Sequence, residues 1–242
     1  MNVLQVKDLF VTIDRRRLLV DLSFDVESGE RLIIIGPNGA GKTLMLKALL
    51  GLVPHTGEIK WSPDVRIGYV PQKIDADRHL PITYRDLFTS KAAVVKQSIE
   101  SVVEVCKNVG LSPRLLDTPV GHLSGGQFQL GLIAFALIGK PNVLILDEPT
   151  ASVDEPGEEH IYGLIYRLQH DYDLAVIAVT HDMSFVYHHA TKVLCLNKRS
   201  VCLGKPEVLT QEILEELYGE SLDYYRHDHH EQLRNVQETN NQ

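Results

Sequence analysis

The octapeptide Gly36-Pro37-Asn38-Gly39-Ala40-Gly41-Lys42-Thr43 follows an apolar run, residues 32–35, and precedes a helix-prone run, residues 44–50. Strand, glycine-rich turn and helix are the context in which a G-x-x-x-x-G-K-S/T match predicts a phosphate-binding loop. Glycines let successive backbone N–H groups face a phosphate, and the helix N-terminus adds partial positive charge. Lys42 would reach the β- and γ-phosphates, and the Thr43 hydroxyl would bind Mg²⁺. The stretch therefore predicts a nucleoside triphosphate site, with an ordinary glycine-rich turn as the alternative.

The composition is typical of a globular protein that stays in the cytosol. The 242 residues are 44% hydrophobic and 23% charged, which fits a soluble domain with a sizeable core. No apolar run reaches the ~18 residues of a membrane-spanning helix, and no N-terminal segment resembles a secretion signal. The cysteines Cys106, Cys195 and Cys202 are scattered. They suit a reducing compartment, and we expect them to be inert core thiols.

The net charge of −8 is concentrated at the C-terminus. Residues 212–242 hold 8 acidic and 2 basic residues, whereas the first 211 residues hold 24 acidic and 22 basic ones. A nearly neutral body with an acidic tail lacks the basic face of a nucleic-acid-binding protein, so we expect no nucleic-acid partner. Residues 226–242 are polar, and we expect this tail to be disordered.

The succession of strand and helix patterns predicts an α/β domain with a helical insertion. Short strand patterns lie on both sides of the glycine-rich loop, and they vanish from residue 83 to about residue 139. We interpret residues 76 to about 139 as the helical insertion. Strand patterns return at residues 143–146 and 174–179, followed by a hairpin pattern at residues 192–203. Within the insertion, apolar residues recur at steps of four, three, four and three, which we interpret as one stripe on one helix. These residues are Val95, Ile99, Val102, Cys106 and Val109.

Polar residues follow two of the buried strand patterns. Asp147 and Glu148 come directly after residues 143–146, and His181 follows the next such strand. Doubly wound sheets bind ligands at the carboxyl ends of their strands. Asp147 is therefore a candidate Mg²⁺ ligand, and Glu148 is a candidate for polarising a water molecule. The alternative for the carboxylates is a merely solvated strand end, and for His181 a structural role.

A second glycine-containing stretch, Leu123-Ser124-Gly125-Gly126-Gln127, opens a helix. It exposes unpaired N–H groups and is a second possible phosphate seat, although taken alone it is only a helix cap.

Together these stretches resemble the ATP-binding subunit of ABC transporters over nearly the whole chain. The motifs of that family stand in order: residues 36–43 as Walker A, Gln72 as the Q-loop glutamine, residues 123–127 as the signature, residues 143–148 as Walker B with its catalytic Glu148, residues 151–154 as the D-loop with Asp154, and His181 as the switch histidine.

The resemblance implies a fold and a division of the chain. The fold is α/β: a P-loop NTPase (ABC ATPase) core with an N-terminal antiparallel β subdomain and a helical signature subdomain. The ABC ATPase domain would cover residues 1–225, with the helical subdomain inserted at about residues 76–140 and the tail at residues 226–242.

The resemblance also implies cofactors, site residues and partners. ATP and Mg²⁺ would be the cofactors, with Thr43, Asp147 and Gln72 at the Mg²⁺. Two copies would pair head to tail, so that residues 124–127 of one chain complete the Walker A site of the other. Glu148 would orient or deprotonate a water molecule, His181 would hold the γ-phosphate, and Gln72 would couple the site to a permease.

Transport by such a chain needs an integral-membrane permease, because the sequence has no membrane span. We expect a peripheral protein at the cytoplasmic face of the inner membrane, and a periplasmic or extracellular metal-binding protein as an indirect partner.

Within the family, residues 66–73 and 80–83 resemble zinc and manganese importers, and residues 193–197 with the histidine-rich tail resemble bacterial zinc-import ATPases. The implied function is energy coupling in divalent-metal import, with Zn²⁺ first. The alternatives are a manganese or iron importer, a soluble ABC ATPase of the iron–sulfur assembly type, and a regulator that does not hydrolyse ATP. His227, His229 and His230 are candidate Zn²⁺ ligands, with a solvated tail as the alternative.

The chain departs from the family pattern at Ile13, Leu130 and Phe135. Many relatives have an aromatic residue at the first position, which stacks on adenine, and arginines at the other two. Because the phosphate-contacting and hydrolytic residues are intact, we expect a working but slow ATPase.

Overall fold

The computed structural model describes residues 1–73, 81–151 and 153–219. The tail and its histidines His227, His229 and His230 lie outside the described residues. The strands are β1 (Asn2–Ile13), β2 (Arg16–Glu27), β3 (Arg31–Ile35), β4 (Thr56–Trp61), β5 (Ile67–Val70), β6 (Val143–Asp147), β7 (Ala175–Val179), β8 (Lys192–Asn197) and β9 (Arg199–Gly204). The helices are α1 (Lys42–Leu49), α2 (Tyr84–Val94), α3 (Ile99–Asn108), α4 (Gly125–Leu137), α5 (Glu155–Tyr172), α6 (Met183–His189) and α7 (Gln211–Tyr218).

The described strands form two sheets. The first is antiparallel, with the order β2-β1-β4. The second has the order β5-β6-β7-β3-β8-β9, in which all neighbours are parallel except the β8–β9 hairpin. The predicted α/β class and the antiparallel N-terminal sheet are confirmed.

The central strands β3, β6 and β7 are apolar along almost their whole length because both faces of the sheet are covered. Side chains alternate between two hydrophobic clusters: Ile33 and Ile35 belong to one, and Leu32 and Ile34 to the other. The first cluster continues into the helices of the insertion, and the second into the N-terminal sheet and α1. One buried sheet therefore holds together both outer parts of the molecule and fixes where its strand ends meet.

The insertion is helical, as predicted, but its apolar stripe does not lie on one helix. Val95 is the C-cap of α2, and Ser98 starts α3 by accepting a hydrogen bond from the N–H of Ser101 at 3.3 Å. Ile99 is 54% exposed and Val95 is partly buried, whereas Val102, Cys106 and Val109 are buried. The one-helix prediction was wrong because a serine N-cap restarts the helix inside the periodic pattern.

The expectation of inert thiols is wrong for two cysteines. Cys195 and Cys202 are direct partners in the β8–β9 hairpin, with a Cα–Cα distance of 4.8 Å, and they form a disulfide. Cys106 is buried and free, and burial raises the pKa of its thiol. The pair looked scattered in the sequence because only the hairpin register brings the two residues opposite each other.

In the part of the chain that the structure describes, no helix is both long and apolar enough to cross a membrane.

Candidate active site

The glycine-rich loop joins β3 to α1 at the carboxyl edge of the central sheet. A Cβ atom on residue 36 would lie 2.0 Å from the carbonyl oxygen of Leu196. Only glycine therefore fits at this position, where the chain leaves the sheet. Gly41 caps α1 with a φ of +99°, and the first turn of α1 carries no acidic residue. The backbone N–H groups at this helix start therefore favour an anion.

Lys42 places its charge inside this loop. Its Nζ donates hydrogen bonds to the carbonyl oxygens of Gly36 at 2.8 Å and Pro37 at 3.2 Å. The side chain is buried. Burial lowers the pKa of Lys42, and the nearby charges of Glu148 and Asp147 oppose that shift. A cation held by the loop's own carbonyl groups is available to a phosphate bound in the loop.

Asp147 and Thr43 form an oxygen-rich pair beside the loop. Asp147 is 1% exposed, and its Oδ1 accepts a hydrogen bond from the Thr43 hydroxyl at 3.1 Å. Its Oδ2 is buried without a hydrogen-bond partner among the described residues. Burial raises the pKa of Asp147. A buried carboxylate with one unused oxygen, next to a hydroxyl, fits Mg²⁺, which prefers such oxygen ligands.

Glu148 stands at the centre of the predicted catalytic residues. Its backbone adopts a φ of +48°, and its N–H donates to the carbonyl oxygen of Val179 at 3.1 Å. One carboxylate oxygen lies 2.7 Å from Nε2 of His181, and the other accepts a hydrogen bond from Nε2 of Gln72. The unusual backbone aims the side chain across the strand end. The structure thus brings Gln72, Glu148 and His181 together.

These groups share a cleft of about 410 Å³ with the glycine-rich loop. The cleft is lined by Leu18, Asn38, Gly39, Ala40, Gly41, Lys42, Thr43, Leu44, Lys47, Gln72 and Glu148. Glu148 also lines a second cleft of about 490 Å³, which contains His181 and several carboxylates. Glu148 therefore separates a loop suited to phosphate from a polar region on its other side.

The signature stretch caps α4. The Ser124 hydroxyl oxygen accepts a hydrogen bond from the N–H of Gln127 at 3.3 Å, and the Gln127 side chain accepts one from the N–H of Ser124 at 3.1 Å. This cap uses the oxygen of Ser124 and leaves its hydroxyl proton to donate. Neither Ser124–Gln127 nor Asp154 is among the residues that line the loop cleft. Within one chain the structure does not bring the signature to Walker A.

The departures from the family pattern have different surroundings. Ile13 is 38% exposed at the end of β1, and Leu18 rather than an aromatic residue lines the loop cleft. Phe10 faces the guanidinium of Arg17 at 6.0 Å instead.

The two lost arginines are replaced by apolar packing. Leu130 and Phe135 both pack against the core of the insertion. The Phe135 ring lies 6.5 Å from that of Phe88 and 5.1 Å from Nζ of Lys91.

Three hydroxyl groups near Glu148 were missed by the sequence prediction. The Tyr162 hydroxyl lies 3.2 Å from that of Thr150 and 2.6 Å from that of Thr180. All three residues are buried. A tyrosine among the core-facing leucines and isoleucines of α5 was the available signal, since a buried hydroxyl needs a partner.

Residues 19–151 match the model of the family described as ABC transporter. The chain belongs to this family. The zinc import ATP-binding protein ZnuC of Haemophilus influenzae is 37% identical over 233 residues, which cover 94% of this ABC protein and 85% of that one. The protein of the same name from Yersinia pseudotuberculosis is 40% identical over 225 residues, covering 90% and 87%.

Solved ABC structures resemble this ABC protein over most of its length. An ABC transporter described as of the metal-chelate type, in an inward-facing conformation, matches with a TM-score of 0.80 at 26% identity, covering 90% of this chain and 89% of that chain. A dimeric bacterial ABC transporter cassette matches with a TM-score of 0.72 at 24% identity, covering 84% and 98%, and supports the fold alone. The family predicted from the order of the motifs is confirmed.

Proposed function

We propose that this ABC protein is the ATP-hydrolysing, energy-coupling subunit of a bacterial importer for a divalent metal, with Zn²⁺ as the transported ion. The observation that carries the proposal is the position of Glu148, which borders the glycine-rich loop and contacts both Gln72 and His181. The choice of zinc is supported by the relatives named as zinc import proteins.

The chemistry assigns one step to each group. Glu148 takes a proton from a water molecule whose oxygen attacks the γ-phosphorus, and the bond from that phosphorus to the bridging oxygen of ADP breaks. Lys42 and the loop N–H groups offset the charge of the phosphates. His181 holds the γ-phosphate beside Glu148. Bound Mg²⁺ supplies Lewis-acid stabilisation, and Thr43 and Asp147 would hold it.

Two copies of the chain are proposed to pair head to tail. Ser124 with its unused hydroxyl proton, Gly125, Gly126 and Gln127 would then face Walker A of the other copy, with Asp154 at the junction. The support is that none of residues 124–127 lines the cleft of the glycine-rich loop in the same chain.

The partner that carries the ion is proposed to be an integral-membrane permease, with a periplasmic or extracellular metal-binding protein acting upstream. The chain would sit peripherally at the cytoplasmic face of the membrane, and Gln72 would pass the state of the site to the permease. Co-purification with an integral-membrane protein is expected. A stable soluble partner instead would favour the iron–sulfur assembly alternative.

The transported ion is tested by uptake measurements in cells that lack this chain. Loss of Zn²⁺ uptake, restored by the wild-type chain and not by Glu148→Gln, is expected. Loss of Mn²⁺ or Fe²⁺ uptake with Zn²⁺ uptake intact would assign the importer to that metal.

The hydrolytic role is tested by the turnover of Glu148→Gln, which keeps the size and polarity of the side chain and removes its basicity. We expect ATP to bind and turnover to fall by at least about a hundredfold, the scale typical of a lost general base. Equal turnover by wild type and variant would remove Glu148 from its assigned role, and absent turnover by both would favour the regulator alternative.

Zinc binding by His227, His229 and His230 remains a separate proposal. Titration of Zn²⁺ into the full chain and into a chain ending at Tyr225 tests it, and equal zinc affinity would leave the tail as a solvated segment.

A further inference from the structure

We infer that Tyr162 is a positioning residue for ATP hydrolysis, and that its hydroxyl holds together the two loops that carry Glu148 and His181. The inference rests on the proposed function of those two residues. It goes beyond that function because Tyr162 lies on α5 and belongs to none of the family motifs described above.

The two loops need a connection because the sheet stops just before them. The last paired residues of β6 and β7 are Asp147 and Val179, and the N–H of Glu148 makes the final backbone hydrogen bond across the two strands. Past that point, direct contact between the loops in the described residues is the Glu148–His181 pair. A single hydrogen bond between two partly exposed side chains is a weak link between the two loops.

Tyr162 supplies the missing connection from outside the sheet. Thr150 lies two residues after Glu148, and Thr180 lies immediately before His181. The Tyr162 hydroxyl contacts both threonine hydroxyls, at 3.2 and 2.6 Å. Thr150 is 8% exposed, Tyr162 is 6% exposed and Thr180 is 2% exposed. Hydrogen bonds between such largely buried hydroxyl groups are costly to break because little water reaches them.

One arrangement of the protons satisfies the whole chain of hydroxyl groups. The N–H of Asp182 donates to the Thr180 hydroxyl oxygen at 3.0 Å, and the Thr150 side chain is hydrogen-bonded to the carboxylate of Glu158. If Thr180 donates to Tyr162, Tyr162 to Thr150, and Thr150 to Glu158, each hydroxyl donates once and accepts once. The chain then runs from a backbone donor to an acidic acceptor, the direction in which hydrogen bonds reinforce one another.

The ring of Tyr162 is held independently of its hydroxyl. It stacks on Phe185 of α6, with ring centroids 4.0 Å apart and an interplanar angle of 21°. Burial raises the pKa of Tyr162 to about 12, so the hydroxyl keeps its proton at neutral pH and can donate it. Removing the Tyr162 hydroxyl oxygen alone should therefore keep the ring packed on Phe185 and break only the hydrogen bonds to the two loops.

The test is the substitution Tyr162→Phe in the full-length chain, with ATP turnover measured over a range of ATP concentrations. We expect kcat to fall on the order of tenfold while KM for ATP stays within about twofold, because misplaced catalytic groups cost rate more than binding. Tyr166→Phe is the matched control: it lies one turn further along α5, and its described contacts to Arg31 and His189 are made by the ring. Its kcat should equal that of wild type.

A double substitution separates positioning from general destabilisation. Thr180→Val removes the other end of the shorter hydrogen bond and also the acceptor of the Asp182 N–H. Tyr162→Phe with Thr180→Val should therefore lower kcat little more than Thr180→Val alone. Additive losses would overturn the inference. So would a loss of kcat in Tyr162→Phe that is matched by a lower folded fraction at the assay temperature.

The outcome for Glu148→Gln keeps the two proposals apart. Lost turnover in Glu148→Gln with wild-type kcat in Tyr162→Phe overturns the positioning role and leaves the proposed function standing. Wild-type turnover in Glu148→Gln contradicts the proposed function itself.

Discussion

At the scale of single residues, Asp147 shows what a proposed Mg²⁺ ligand costs in stability. Its carboxylate is buried, and its Oδ2 has no hydrogen-bond partner among the described residues. Its pKa is raised above the ordinary value of 3.8, mainly by burial. Below about pH 3 the group is mostly neutral in both the folded and the unfolded chain, so it carries almost no penalty there. As the pH rises the unfolded chain ionises first, and stability falls until the folded group has also ionised.

We therefore expect Asp147→Asn to raise the free energy of unfolding at pH 7.5, because the buried charge is gone, while abolishing Mg²⁺-dependent turnover. The gain should vanish near pH 3, where Asp147 is neutral in both states. Urea unfolding at both pH values, without Mg²⁺ or nucleotide, measures it. Asp117→Asn is the control of opposite sign, because a hydrogen bond from Arg85 lowers the pKa of Asp117. A gain in Asp147→Asn that is equal at both pH values would contradict the role of ionisation.

Some residues of the site could be predicted from the sequence and others could not. Glu148 and His181 could be predicted because each follows a buried strand, and parallel strands end at one edge of the sheet. The partners of the Tyr162 hydroxyl could not be predicted, since they lie 12 and 18 residues away along the chain. Only the packing of α5 and α6 against the sheet brings its hydroxyl between the two loops.

At the scale of elements, two helix starts separate capping from function. Ser124 caps α4 and Ser98 caps α3, each by accepting a backbone hydrogen bond at 3.3 Å. Ser124→Ala and Ser98→Ala should each lower the free energy of unfolding by about 1 kcal/mol. Only Ser124→Ala should also lower ATP turnover, because its hydroxyl proton is assigned to a phosphate. Equal turnover in the two variants would reduce the signature serine to a helix cap.

The helices α2 and α3 were wrongly predicted as one helix. An apolar stripe continues through the break because Val95, at the end of α2, still packs against the core. The period of the stripe reports burial and not continuity of the backbone. Ser98 was the signal for a new helix, and its capping role outweighs the stripe.

The β8–β9 hairpin gives a second prediction at the scale of elements. The chain is purified without reductant, denatured and treated with a maleimide reagent. Only the thiol of Cys106 should react, because Cys195 and Cys202 are joined in a disulfide. After reduction three thiols should react. Cys106→Ser should show none before reduction. Three reactive thiols in the untreated wild-type chain would contradict the disulfide.

At the scale of the whole molecule, the separation of Walker A from the signature predicts complementation. A Lys42→Ala chain keeps an intact signature, and a Ser124→Arg chain keeps an intact Walker A. In a head-to-tail pair of these two chains one site combines both intact halves. We expect turnover from the mixed pair, near half that of wild type, and none from either variant alone. An inactive mixed pair of confirmed composition would argue that each site is built within one chain.

The architecture as a whole was predictable to a large extent. The buried strands, the loop from Gly36 to Thr43 and the order of the family motifs predict the fold class, and both sheets agree with it. Strand order and the hairpin register were not predictable, because they depend on contacts between distant segments.

The strand that carries Cys195 is also the strand whose Leu196 carbonyl oxygen closes the space beside Gly36. A thiol additive that reduces the Cys195–Cys202 disulfide therefore changes a covalent bond one residue away from Leu196, which packs against the glycine-rich loop. Kinetic constants from different laboratories are comparable only when the redox history of the samples is matched.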